Sequence, residues 1–98
     1  MIVSFRDAVT RAIYDGEDTK AARKRLPPEL WKLAQRKLDQ MKRVTRLDQL
    51  AIPPGNGLEA LKRERRGQHS IRINERYRIC FVWTLRGPAE VEITDYHR

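Results

Sequence analysis

The segment Asp95-Tyr96-His97 places an acid, a phenol and an imidazole at three consecutive positions. Metal-free cleavage of RNA needs such groups, because the 2′-hydroxyl loses a proton and the 5′-oxygen gains one while the charge on the phosphate is neutralised. The chain also carries 21 basic residues among 98, which suits a polyanionic partner. A ribonuclease is therefore the leading interpretation, and a frayed polar chain end without a function is the alternative.

The basic residues are concentrated in two segments. Residues 20–46 hold ten lysines and arginines against two acidic residues, and residues 62–78 hold seven against two. Both segments are interleaved with apolar residues, which is typical of faces of folded elements rather than of disordered arms. With the net charge of +8 and a pI of about 10.3, they indicate a nucleic acid, an anionic membrane or an acidic protein as the partner.

Length and composition predict a single domain, 1–98, with one modest core, since 40 % of the residues are hydrophobic. No stretch reaches the ~20 apolar residues of a membrane-spanning helix, and no signal-peptide layout is present, so we expect a cytoplasmic protein. The single cysteine, Cys80, excludes an internal disulfide, and its neighbours Ile79 and Phe81 favour a strand residue over a nucleophile. The two histidines and one cysteine lack metal-ligand spacing, so no metal site is expected.

The first half of the chain has the signals of helices. After a short strand at residues 2–5, Asp7 is a plausible N-cap for a helix that Gly16 ends. A basic loop, Lys20–Arg25, then leads to a second helix of about four turns, which starts at Pro27-Pro28.

The second half follows a strand pattern after a loop rich in proline and glycine. Short strands are predicted at residues 58–61, 70–73, 77–83 and 91–93, separated by turns. Two helices followed by consecutive hairpins predict an α+β fold, with two N-terminal helices packed on one face of a small, mainly antiparallel sheet.

Alternation along the strands predicts which side chains face the helices. Arg72 and Arg78 should face away from the apolar side that the helices cover, and so line a cationic concavity able to hold a strand of RNA. His69 should point toward the helices. Trp83 shares the apolar face and is expected in the core, whereas Trp31, off the helical stripe, is a candidate for a protein interface.

Several ordered segments together carry a family resemblance. They are Ile13–Gly16, Lys20–Lys24, Leu26–Leu30, Pro53–Asn56, Leu58–Lys62, Gly67–Asn74, Tyr77–Trp83 and Val91–His97. In order and spacing they resemble the HigB toxins, which belong to the RelE-like superfamily of type II toxin–antitoxin systems. The resemblance spans nearly the whole chain and implies the RelE-like microbial ribonuclease fold.

The same resemblance implies an activity and its partners. The activity is a ribosome-dependent endoribonuclease that cuts mRNA in the ribosomal A site and inhibits translation, with no metal or organic cofactor. A HigA-type helix-turn-helix antitoxin would neutralise it, and the complex would repress its own operon by binding operator DNA through the antitoxin.

The site residues follow by matching positions. Asp95, Tyr96 and His97 match the family's terminal motif, Arg78 matches the arginine of the preceding strand, and Lys62 matches the lysine after the short strand. Glu59 takes the place of a family histidine, and Lys62-Arg63-Glu64 replaces the common Lys-Gly-Asp. A carboxylate can act as a base but repels a phosphate, so these departures predict a weaker toxin.

The remaining basic residues of the two segments are candidates for binding RNA or the ribosome. They are Arg63, Arg65, Arg66, Arg72, Arg76, Lys20, Arg23, Lys24, Arg25, Lys32, Arg36 and Lys37. Two other functions stay open: a non-catalytic RNA- or ribosome-binding module, and a protein-interaction subunit whose basic face docks an acidic partner. Of the three functions, only the ribonuclease needs the acid-phenol-imidazole cluster of Asp95, Tyr96 and His97.

Overall fold

The computed structural model describes residues 1–96, and within that range three helices occupy the first half of the chain. They are α1 (Ala8–Asp15), α2 (Lys20–Arg25) and α3 (Trp31–Arg43). Asp7 caps α1 by accepting a hydrogen bond from the Thr10 N–H at 2.8 Å, and Gly16 ends the helix in the left-handed conformation, as predicted. A turn of 3₁₀ helix, Pro28–Leu30, precedes α3.

The predicted loop at Lys20–Arg25 is wrong, because these residues form α2. The Thr19 hydroxyl caps this helix by accepting from the Ala22 N–H at 3.0 Å, and Ala22 is fully buried. Arg25 at its end forms an ion pair with Asp7 at 2.8 Å. Burial alone raises the pKa of the Asp7 carboxyl, but hydrogen bonds from Thr10 and Arg25 outweigh it and hold that pKa below its ordinary value.

Four antiparallel strands follow in sheet order. They are β1 (Glu59–Ala60), β2 (His69–Arg72), β3 (Tyr77–Thr84) and β4 (Gly87–Asp95). The predicted strands are confirmed, with β1 shorter and β4 longer than expected, since Gly87-Pro88 belongs to the strand. The short strand predicted at residues 2–5 is wrong, because these residues form no strand of the sheet. They run along the edge of β4 with one parallel bridge, Phe5 to Val91.

The helices cover one face of the sheet and form the core there, so the predicted α+β architecture is confirmed and is consistent with the RelE-like toxin fold. Ile71, Ile79 and Ile93 lie side by side on β2, β3 and β4 and pack against α1 and α3. Their strand neighbours therefore face the other side of the sheet, away from the helices, which we call the open face. None of the helices in residues 1–96 is long and apolar enough to cross a membrane.

The two tryptophans and His69 all contribute to packing. Trp83 packs against the core, as predicted. Trp31 also packs against it, and its indole N–H donates to the Leu26 carbonyl at 2.8 Å. Trp31 therefore also has a structural role, in which it fixes the turn between α2 and α3. His69 lies on the Phe81 side of the sheet, with 6.2 Å between the ring centres.

Candidate active site

Arg78 is the central basic residue of the open face. It lies in β3 directly opposite Arg72 of β2, and both alternate with core residues, so the predicted facing is confirmed. Arg72 is exposed, but Arg78 is only 8 % exposed. Surrounding groups therefore enclose Arg78, although it faces away from the helices.

Three groups surround the Arg78 guanidinium. Its Nε donates to the Ser70 hydroxyl at 2.7 Å, and its Nη2 donates to the Gly57 carbonyl at 2.6 Å. Nη2 also lies 3.5 Å from a Glu59 carboxylate oxygen. Burial, and then the charge of Arg72, lower the pKa of Arg78 below its ordinary value, yet an arginine stays charged at neutral pH.

A cleft of about 670 Å³ opens beside this arginine. It is lined by the run from Glu59 to Glu64 and by Tyr96. The cleft therefore brings together the candidates Glu59, Lys62, Arg63 and Tyr96, and Glu59 connects it to Arg78. The lining combines a carboxylate, cations and an aromatic ring, which are the groups that can exchange protons, bind phosphate and stack on a base.

Arg65 supports the Tyr96 ring from the sheet side. Its guanidinium carbon lies 5.7 Å from the ring centre, and its Nη1 donates to Glu92 and to Gln68, each at 3.0 Å. A guanidinium fixed in this way offers a cation–π contact to the phenol. Arg65, predicted as an RNA-binding residue, is thus engaged inside the protein and holds the aromatic wall of the cleft.

Arg63 has an unusual backbone conformation, with φ of +58°. This left-handed conformation is easy for glycine and disfavoured for a residue with a Cβ atom. Arg63 thus occupies a turn that a glycine would adopt without strain. The strained turn directs the backbone between Lys62 and Glu64 along the cleft.

Replacing Arg63 with glycine is expected to give a more stable protein than replacing it with alanine. Both variants remove the side chain, but only glycine removes the cost of the left-handed conformation, which is about 1 kcal/mol. Urea unfolding of the two variants measures the difference. An alanine variant as stable as the glycine variant would show that the turn is not strained.

Asp95 is the candidate that the structure keeps apart from the cleft. In register it lies opposite Tyr77, on the side of Ile93, and its carboxylate accepts from Arg76 Nη2 at 2.7 Å and Nε at 2.8 Å. Arg76, a predicted RNA-binding residue, is thus part of an ion pair. His97 lies outside the described residues.

The basic residues form two separate surfaces. Lys20, Arg23, Lys24, Lys32 and Arg36 are exposed on the helices, across the sheet from the open face. Arg63 is exposed and lines the cleft, Arg66 is exposed in the segment that follows it, and Arg72 is exposed on the open face. Lys37 is not free for RNA, since its ammonium group donates to Asn56 Oδ1 at 2.6 Å and burial lowers its pKa. Arg25 is likewise tied to Asp7.

Ser70 and Asn56 belong to the site but were not among the sequence candidates. Ser70 alternates with Ile71 and shares the face of Arg72, so the strand pattern contained a signal for it. Asn56 contacts the site through the loop that ends at Gly57, and no periodic pattern in the sequence predicts where such a loop folds back.

Cys80 lies on the same face of β3 as Arg78 and is fully buried. Burial raises the pKa of its thiol above the ordinary value, which agrees with a strand residue rather than a nucleophile. Within residues 1–96, no cluster of three or more histidine, cysteine or acidic side chains could hold a metal ion.

Comparison with known proteins identifies the family. The family of RelE-like toxins of the type II toxin–antitoxin system HigB matches residues 3–97. Toxin HigB-1 of Vibrio cholerae is 35 % identical over 98 residues, which is 100 % of this chain and 99 % of that protein. An uncharacterized protein of Haemophilus influenzae is 34 % identical over 79 residues, 81 % of this chain and 75 % of that protein.

The fold and these matches define a RelE-like toxin of a type II toxin–antitoxin system, a class whose members have an antitoxin as partner. Within that class, the chain belongs to the HigB-like family.

Proposed function

We propose that this toxin is a ribosome-dependent, metal-independent endoribonuclease of the cytoplasm that cleaves mRNA in the ribosomal A site and so inhibits translation. The observation that carries this proposal is the cleft between Glu59–Glu64 and Tyr96, whose wall residue Glu59 lies 3.5 Å from the Arg78 guanidinium. Family membership supports the reaction class, since RelE-like toxins are generally endoribonucleases.

The reaction that fits these groups is attack of the 2′-oxygen on the adjacent phosphorus. Glu59 removes the proton from the 2′-hydroxyl, the bond from phosphorus to the 5′-oxygen breaks, and His97 gives that oxygen a proton. The products are a 2′,3′-cyclic phosphate and a free 5′-hydroxyl. Arg78 and Lys62 stabilise the charge that builds on the phosphate.

Tyr96 and Asp95 have supporting roles in this proposal. The Tyr96 ring, backed by Arg65 at 5.7 Å, stacks on a base beside the scissile bond. Asp95 is bound to Arg76 on the other side of β4. We therefore assign Asp95 to the orientation of the chain that follows it, which carries His97, rather than to contact with the phosphate.

The contact between Glu59 and Arg78 bears on the strength of the toxin. The guanidinium offsets the carboxylate charge at 3.5 Å, but that carboxylate still repels an incoming phosphate. We expect a weaker enzyme than one with an imidazole at this position. The same contact favours a second candidate, a non-catalytic module that binds RNA or the ribosome, because Arg78 is already engaged within the protein.

The two basic surfaces and the antitoxin complete the proposal. The exposed cations of α2 and α3 and those near the cleft bind the ribosome and its mRNA by neutralising phosphates, so binding weakens as salt rises. A HigA-type helix-turn-helix antitoxin neutralises the toxin. The complex represses its operon, with operator DNA contacted by the antitoxin.

Expression of the chain in a bacterium without its antitoxin is expected to arrest growth and translation. Primer extension after brief expression should reveal new 5′ ends within translated messages, and none in the same message with its start codon removed. Arrest without new 5′ ends would favour the binding module. Normal growth at confirmed soluble expression would contradict both functions.

A further inference from the structure

Within residues 1–96, the Arg78 guanidinium is held by hydrogen bonds along one edge. Its Nε and Nη2, which lie on the same edge of the planar group, donate to Ser70 at 2.7 Å and to the Gly57 carbonyl at 2.6 Å. Its Nη1 makes no hydrogen bond to a residue in the range 1–96. One edge therefore fixes the orientation, and the other donors remain for a ligand.

Both acceptors on that edge are themselves fixed. Ser70 is fully buried in β2 and paired on both sides, with Glu59 of β1 and Cys80 of β3. The Gly57 carbonyl follows Asn56, which is 1 % exposed. The Asn56 amide donates to Gln40 Oε1 at 3.0 Å and to the Leu50 carbonyl at 3.1 Å, so the loop is anchored to α3.

We propose that Ser70 is a positioning residue for the phosphate-binding arginine, a role that rests on the proposed function and extends it. Ser70 does not touch RNA. It holds the Arg78 guanidinium in the orientation that the reaction needs, because without this hydrogen bond the long arginine side chain could adopt other rotamers. A displacement of about 1 Å in such a group can cost on the order of a hundredfold in rate. We call the hydrogen bond from Arg78 to Ser70 the clamp, and we expect it to affect the turnover rate more than RNA affinity.

The experiment compares Ser70→Ala with a matched control, Thr10→Val. Thr10 is also fully buried, and its hydroxyl accepts from the Ile93 N–H at 3.0 Å on the helix-covered side. Each variant thus removes one buried hydroxyl, and thermal unfolding shows the structural cost of each. Ser70→Ala is expected to lower kcat about ten- to a hundredfold with KM changed by less than about twofold, and Thr10→Val to cleave like the parent protein.

A double-mutant cycle shows whether Ser70 acts through Arg78. In an Arg78→Ala background, Ser70→Ala should cause no further loss of cleavage, because the group it positions is absent. Independent, additive losses would overturn the proposal. So would a Ser70→Ala variant that cleaves at the rate of Thr10→Val.

A second readout does not depend on cleavage. The NMR signal of the Arg78 Nε–H, assigned by its disappearance in Arg78→Ala, should exchange slowly with water in the parent protein and in Thr10→Val. It should exchange fast in Ser70→Ala. If the parent protein cuts no RNA but shows this pattern, the proposed function fails and the clamp stands. Fast exchange in the parent protein overturns the clamp whatever the activity.

Discussion

Replacing Arg78 with alanine is expected to lower the rate of mRNA cleavage roughly a hundred- to a thousandfold, the usual cost of losing one positioned donor to a charge that builds in the transition state. Arg78 is the buried arginine that contacts Glu59, one of the residues that line the cleft. Arg78→Lys should recover little of the cleavage rate, because an ammonium group cannot reproduce the two hydrogen bonds that the guanidinium donates to Ser70 and Gly57.

The same variant should also be less stable, by roughly 1–3 kcal/mol, because the Ser70 hydroxyl and the Gly57 carbonyl lose their donor inside the protein. Urea unfolding therefore accompanies the cleavage assay, and rates are compared below the unfolding range. Arg86→Ala is the matched control, since Arg86 is an exposed arginine of the turn between β3 and β4. A soluble, folded Arg78→Ala variant that cleaves like Arg86→Ala would remove Arg78 from the reaction.

Deleting residues 96–98 is expected to abolish cleavage, because it removes the Tyr96 phenol and the His97 imidazole together. The last strand, β4, ends at Asp95, so the deletion leaves the sheet and its core pairs intact and should change the free energy of unfolding little. Removal of Arg98 alone is the matched control. Tyr96→Phe tests whether the ring alone accounts for the role of Tyr96, since it keeps the ring beside Arg65 and loses only the hydroxyl.

Ribosome binding should survive this deletion, because the exposed cations on α2, α3 and the run after β1 remain. Co-sedimentation with ribosomes and mRNA cleavage are measured at the same salt concentration. Retained cleavage would show that the chain end is not catalytic. Joint loss of binding and cleavage would instead make it a docking element.

Local signals in the sequence were sufficient for most of the fold. The N-cap at Asp7, the left-handed Gly16 and the alternation through β2 and β3 each act over a few residues and were read correctly. The loop predicted at Lys20–Arg25 is wrong because a run of basic residues does not exclude a helix. In the structure Thr19 caps a short helix there, and buried Ala22 packs it against its neighbours.

The site was less predictable, because its geometry depends on segments far apart in the chain. Alternation placed Arg78 on the open face but could not show that the Gly57 carbonyl, 21 positions earlier, would close over it. Alternation implies that the consecutive residues Asp95 and Tyr96 face opposite ways, but it could not show that Arg76 would bind the first and Arg65 the second. Their adjacent positions in the sequence suggested one cluster, but in the structure Asp95 lies apart from the cleft that Tyr96 lines.

The buried thiol of Cys80 provides a built-in reporter of this site. It is the one sulfhydryl group in the chain, and it lies on the Arg78 face of β3 under the influence of Arg65 and Glu92. A thiol reagent can reach it only when the sheet opens, so the labelling rate follows the opening equilibrium rather than surface chemistry. Any ligand that binds only the closed form, whether antitoxin or RNA, should slow the labelling of Cys80 as the bound fraction of the protein rises. The labelling rate at several ligand concentrations would therefore give the affinity without a catalytic assay.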